Sequence, residues 1–436
     1  MTAEIAIINR SAVALATDSA VTLTVRGSEK IYNSADKLFE LSDKDPIGVM
    51  VYNNLEYMGI PLEIAIKQFR QGAPHFKNVV SAAEAFFKYL TEDLAPDEAL
   101  QKQHAYRILT PVYGDIRDSF MRRVEREIEN NGGNSRKIDF PTIFTETVKS
   151  GISDLESKGI LDCFADTPEN TFSEFYSETI GELITGIFDG MPLDDEHKGL
   201  LSRIAVLMLR GKVLSEFCTG LVFAGFGKDE VFPALVSYEI DGVVLGKIKS
   251  LETDKEVTSR SEVTGRVLPF AQREMVDRFL YGIDPQFEQA IEQYITAAVG
   301  ATGAAIVKAL PKRKSKATKE KLDKAIKSAK EAAVGHWNEK MVPLHKDRFV
   351  REVENMIFLM PKQELALLAQ ELINLTSVKR KFSSGRESVG GPIDVAVISR
   401  IDGFVWVRRK HYFDPKLNPR YFHRKFGASS SEEAGS

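Results

Sequence analysis

Thr2-Ala-Glu-Ile-Ala-Ile-Ile-Asn9, followed by Arg10 and by Ser11-Ala-Val-Ala-Leu-Ala-Thr-Asp18, is the stretch whose reading decides the fold. Two apolar, β-branched-rich runs flank the polar triplet Asn9-Arg10-Ser11, which is the signature of a β-hairpin. A reversal centred on Arg10 sets Thr2 opposite Asp18, with Cβ atoms roughly 4.5–5.5 Å apart. On this register Ala6, Ala14 and Ala16 share the face of that pair and leave room beside it, and Glu4 breaks the pattern. Downstream, Lys37-Leu-Phe-Glu-Leu41 alternates so that Lys37 shares a face with Phe39 and Leu41 while Glu40 points away. A lysine on an apolar face requires an anion, because an unpaired buried charge is costly. Asp18 is the nearest candidate in sequence.

The chemistry of this trio depends on Thr2 becoming the first residue. Removal of Met1 ahead of a small residue leaves a threonine with both a hydroxyl and a free α-amine, whose ordinary pKa of about 7.7–8.0 suits it to act as a base. A nearby cation favours the neutral amine and lowers that value, a role open to Lys37 oriented by Asp18. The outcome is a threonine nucleophile carrying its own base.

Thr2 with its apolar strand, the Ala-Leu-Ala-Thr-Asp-Ser19 ending of the second run and Lys37-Leu-Phe-Glu-Leu41 resemble the catalytic β-subunits of proteasomes and the bacterial proteasome-like peptidases, members of the N-terminal nucleophile (Ntn) hydrolases. Gly390-Gly-Pro-Ile-Asp-Val-Ala-Val-Ile-Ser399 and Arg400-Ile-Asp-Gly-Phe-Val-Trp406 resemble that family's closing hairpin. Phe223-Ala-Gly-Phe-Gly-Lys-Asp229 with Ala234-Leu-Val-Ser-Tyr-Glu-Ile240 resembles its middle strands. The resemblance implies a four-layer αββα Ntn-hydrolase sandwich of two antiparallel sheets, here with large helical insertions. It implies Thr2 as nucleophile, Asp18 and Lys37 as the charge pair beside it, and the backbone N–H near Asn53 as oxyanion donor. Such a donor is worth about 2.7–4 kcal/mol. There are three departures from the family pattern: Asn53 stands where the family tends to have glycine, the spacing from Asp18 to Lys37 is longer and leaves Lys30 as an alternative, and Arg386 and Val389 replace an aspartate and a serine, with Ser388 one position away. A supporting hydroxyl is expected among Ser259, Ser261 and Thr264.

The remainder of the 436 residues reads as cover and insertion. A proteasome-like core occupies 1–95, 216–300 and 361–416, a helical insertion 96–215, a basic helical insertion 301–360, and a disordered tail 417–436. Helices are expected from Pro61, from Val79 to Leu94, from Phe270 to Tyr281, from Gln286 to Val299 and from Pro361. Between Lys308 and Lys330 ten Lys or Arg face two acids with no aromatic residue, which reads as a solvated helix face rather than a nucleic-acid site. Net charge of −4 and 28% charged residues imply no global attraction to nucleic acid or membrane. Two cysteines, no basic and apolar leader and no unbroken apolar run of roughly 18 residues fit a cytoplasmic protein with no membrane partner. The expected activity is threonine-type hydrolysis of amide bonds, peptide bonds above all, by a homo-oligomeric enzyme with no cofactor and no metal. The alternative expectation is a decayed proteasome-fold scaffold or sensor that binds a macromolecule through its helical insertions. A small-molecule amidohydrolase on the same fold is the third.

Overall fold

The computed structural model describes residues 3–25, 28–134, 138–258, 265–282, 285–309, 316–383 and 389–426. It is a mixed α/β protein with antiparallel sheets. Among the described residues ten strands build two five-stranded sheets: β1 (Ala3–Ile8), β2 (Ala12–Thr17), β3 (Leu38–Glu40), β4 (Ile47–Asn53), β5 (Thr219–Gly225), β6 (Ala234–Val244), β7 (Lys247–Val257), β8 (Arg266–Ala271), β9 (Asp394–Ser399) and β10 (Gly403–Arg408). Short ribbons pair Val21–Val25 with Ser28–Tyr32 and Glu56–Tyr57 with Ile60–Pro61. The chain divides into two compact units, Lys37–Val257 and Met1–Asp36 together with Thr258–Ser436.

In the unit Lys37–Val257 the strand order is β7-β6-β5-β4-β3. Helices α1 (Leu62–Gly72) and α2 (Val79–Glu92) cover one face, placing Leu62, Ile66, Phe86 and Phe87 against Val49, Leu221, Phe223 and Val236. Pro61 opens α1, and Asn78 and Ser81 form a reciprocal capping box on α2. Five further helices, α3 (Glu98–Asn130), α4 (Phe140–Lys158), α5 (Glu169–Phe175), α6 (Ser177–Ile187) and α7 (Asp195–Arg210), enclose a core of their own around Tyr113, Phe144, Phe164, Phe172 and Leu201. The Tyr113 hydroxyl donates to the Leu201 carbonyl at 2.9 Å, so that large ring is buried without an orphaned polar atom.

In the other unit the order is β8-β1-β2-β9-β10. Helix α8 (Glu274–Tyr281) is followed by α9 (Pro285–Ala309) and α10 (Lys316–His336); π-helical turns at 337–341 and 346–350 bracket α11 (Val342–His345), and α12 (Arg351–Leu359) and α13 (Lys362–Lys381) complete the run before α14 (Pro419–Phe426). Leu365, Ala369, Leu372 and Ile373 of α13 pack on Ala3, Ile5, Ile7, Ala14, Ala16, Val395 and Val397. Small residues on the strands let the helix approach the sheet closely.

Three expectations are corrected here. The hairpin register is one residue out: Glu4 opposes Thr17 and Ile8 opposes Val13, which brings Ala3 rather than Thr2 to Asp18. The cause is a two-residue loop, Arg10-Ser11, locked by Asn9, whose Oδ1 accepts from Ser11 N, Ser11 Oγ and Ala12 N while its Nδ2 donates to the carbonyls of Ile357 and Met360. Ala14 and Ala16 consequently face α13, whereas Ala6 opposes Leu15 on the other side of the sheet. Within the tail expected to be disordered, residues 419–426 form α14, with Pro419 at its first position, and residues 427–436 lie outside the described residues. Finally, α9 runs ten residues past Val299 and is long and apolar enough to cross a membrane. Counting unbroken apolar runs missed it, because Gln293, Thr296 and Thr302 interrupt the run without adding charge.

Candidate active site

Asp18 follows β2 directly and is fully buried. Its carboxylate accepts three backbone N–H groups, from Ala3 at 3.2 Å, Ala20 at 3.3 Å and Gly390 at 2.9 Å. Its own N–H donates to the Ala3 carbonyl at 3.1 Å. The two ends of the sequence motif therefore meet: Ser19 N donates to the Gly390 carbonyl, and Ser19 Oγ to that of Pro392. Gly391 has φ +79°, and a Cβ there would come within 2.8 Å of Asn33, so the double glycine serves close approach of two backbones. Thr2, Ser388 and Arg386 lie outside the described residues, as do Ser259, Ser261 and Thr264. Val389 is buried in the core, and its carbonyl accepts from Ser377 Oγ at 3.5 Å.

Sequence reasoning missed a polar row beside this corner. Glu4, Thr17 and Asp394 oppose one another across β1, β2 and β9, all buried, on the face turned away from α13. Lys410 closes the row: its N–H donates to Asp394 Oδ1 at 2.8 Å, and its ammonium pairs with both Asp394 and Asp36. The one signal available was Glu4, an acid within an otherwise apolar strand.

In the unit Lys37–Val257, Lys37 is fully buried and its carbonyl accepts Val51 N–H at 2.8 Å. Lys30, the alternative, is exposed, with its ammonium 5.1 Å from the centre of the Tyr32 ring. Of the two lysines, Lys37 is the buried one. Asn53 ends β4 with φ +63°, a left-handed conformation that glycine adopts freely and asparagine tolerates better than most residues. The departure from glycine is therefore conservative for the backbone. Asn53→Gly should leave stability within about 0.5 kcal/mol, whereas Asn53→Val should cost about 1–3 kcal/mol through strain, read from denaturant midpoints.

Neither cysteine is activated. Burial pushes the Cys218 thiol up to about 12, with Glu239 and Asp241 adding to the effect, and burial also raises that of Cys163. Among the described residues no group of three or more His, Cys, Asp or Glu could hold a metal ion.

A scan against protein-family models finds no match, and no curated protein matches the chain.

A second buried network lies at the root of the helical insertion. Asp241 and Lys249, both fully buried, pair at 3.3 Å. Asp241 also accepts Ser215 N at 3.0 Å and Ser215 Oγ at 2.5 Å, and Lys249 donates to the Met208 carbonyl near the end of α7 at 2.7 Å. Desolvation lowers the Lys249 ammonium below its ordinary range although Asp241 opposes the shift. The ring N–H of His104 on α3 reaches the Asp241 carbonyl at 2.7 Å, and burial lowers its pKa as well. This network reads as structural, fastening α3 and α7 to the β6–β7 hairpin.

A pH effect follows from His104. Its charged form is disfavoured only in the folded state, so the unfolded chain binds more protons below the ordinary histidine value of about 6.5. The stability His104 contributes is complete above that value and declines as the pH drops below it. His104→Gln, which keeps an N–H donor, should flatten this part of the denaturation midpoint against pH curve.

Proposed function

We propose that the chain is an N-terminal threonine hydrolase of the proteasome-like kind, cleaving peptide bonds through an acyl-enzyme on Thr2, within a four-layer αββα sandwich. The observation that carries the reading is the setting of Asp18, a buried carboxylate held by three backbone N–H groups, one of them from the residue that follows Thr2. Two antiparallel five-stranded sheets, each with helices packed on one face, support the fold assignment. In the proposed reaction the Thr2 hydroxyl oxygen attacks the carbonyl carbon and its proton passes to the α-amine. The left-handed backbone at Asn53 presents an N–H to the oxyanion. Collapse expels the amine product, which takes that proton, and water then attacks the ester and regenerates threonine. Asp18 and Lys37 set the charge around the amine. The same reading makes the protein a cytoplasmic homo-oligomer that needs no cofactor.

Val389 favours a second reading, a scaffold or sensor with a decayed site, because a buried apolar residue replaces the family's serine. Presenting unfolded polypeptide and simple amides side by side separates the possibilities. Turnover of polypeptide, with an acyl adduct on the N-terminal peptide, is expected. Turnover of simple amides alone would indicate a small-molecule amidohydrolase, and no turnover of either would favour the scaffold.

A further inference from the structure

Helices α9 and α10 form an antiparallel pair. A Cβ on Gly303 would come within 2.8 Å of Ile326, and one on Gly300 within 2.8 Å of Lys330, so the glycines continue the helix because they admit the neighbouring one. An open apolar groove of about 460 Å³ runs between the two, walled by Val299, Ile306, Leu322 and Ile326. None of the most apolar window of α9 is buried, and Phe287, Tyr294 and Ile306 are 60%, 75% and 54% exposed. From Gln293 to Val307 the helix carries no charge. The basic stretch begins at Lys308, and Lys321, Lys324 and Lys327 of α10 are exposed.

We propose that this hairpin binds the surface of an anionic lipid bilayer, with the apolar length of α9 in the interfacial region and the α10 lysines on lipid phosphates. Uncovered apolar surface together with a dense positive charge matches such a surface on both counts. A second copy fits less well, since pairing like hairpins would bring two lysine-rich helices together. Nucleic acid fits less well because no aromatic residue lies between Lys308 and Lys330 to stack on bases. The inference is independent of the hydrolase reading and places a peripheral membrane contact where the sequence suggested only a solvated face.

The test is co-sedimentation of the full chain with vesicles of equal parts phosphatidylglycerol and phosphatidylcholine, and with vesicles of phosphatidylcholine alone. Binding is expected to be at least about tenfold stronger to the anionic vesicles and to be lost in high salt. Combined Lys321→Glu, Lys324→Glu and Lys327→Glu should weaken it at least about tenfold, and Ile306→Glu should weaken it independently. All four side chains are exposed, and far-ultraviolet circular dichroism verifies that the variants fold. Equal or absent binding to the two vesicles would overturn the proposal. So would an oligomer that Ile306→Glu dissociates without vesicle binding, or binding of single-stranded RNA in place of lipid.

Discussion

Replacing Thr2 by alanine is expected to lower polypeptide hydrolysis by at least about 10³-fold while leaving the unfolding midpoint unchanged. The expectation rests on a unit rather than on one group: removing a nucleophile costs most of the covalent route, and the residual rate comes from binding and the oxyanion donor alone. Thr2→Ser keeps a hydroxyl and an α-amine and should retain measurable turnover. Asp18→Asn tests a different part of the site. It removes the negative charge from a position where three backbone N–H groups converge, so it should slow turnover and also lower stability. Equal activity of wild type and Thr2→Ala would remove Thr2 from the chemistry.

The largest expected effect on stability lies far from Thr2 in sequence. Lys249→Ala leaves the Asp241 carboxylate buried, with Ser215 as its remaining side-chain donor, and leaves the Met208 carbonyl without its ammonium. Breaking a buried pair from one side costs about 3–5 kcal/mol, which should appear as a lower denaturant midpoint with an unchanged slope. The combination Asp241→Leu with Lys249→Met removes both charges and should recover much of that loss, because a buried ion pair contributes little beyond what an apolar pair of similar volume supplies. If the single replacement were tolerated within about 1 kcal/mol, the pair would not be buried as described.

What the sequence made legible follows from local physics. Two β-branched runs around Asn9 predict a hairpin, and Pro361 with its apolar stripe predicts α13, because those signals depend on neighbours in the chain. The register escaped prediction by one residue since it is set by Asn9, whose amide bonds to Ile357 and Met360, hundreds of positions away. Alternation over Lys37–Leu41 already sets Lys37 on an apolar face, and the structure buries Lys37 while Lys30 is exposed. The conformation of Asn53 was hidden for a related reason: substitution of glycine signals a departure, and only φ reveals that asparagine fills the same backbone role. Asp241 and Lys249 are charged residues within strands that alternate as solvent-facing ones do, Asp394 opens an apolar strand, and all three are buried because other parts of the fold cover them. Helix α9 continues past Val299 through Gly300 and Gly303, whose close contacts with α10 come from a segment more than twenty residues away and leave no local signal.

The central claim concerns an exposed amino end on Thr2, and intact mass of the purified protein before and after exposure to a threonine-directed electrophile tests it most directly. The account predicts a chain that begins at Thr2, gains one adduct confined to its N-terminal peptide, and gains none when Thr2 is alanine. A retained Met1, or equal labelling of wild type and Thr2→Ala, would contradict it.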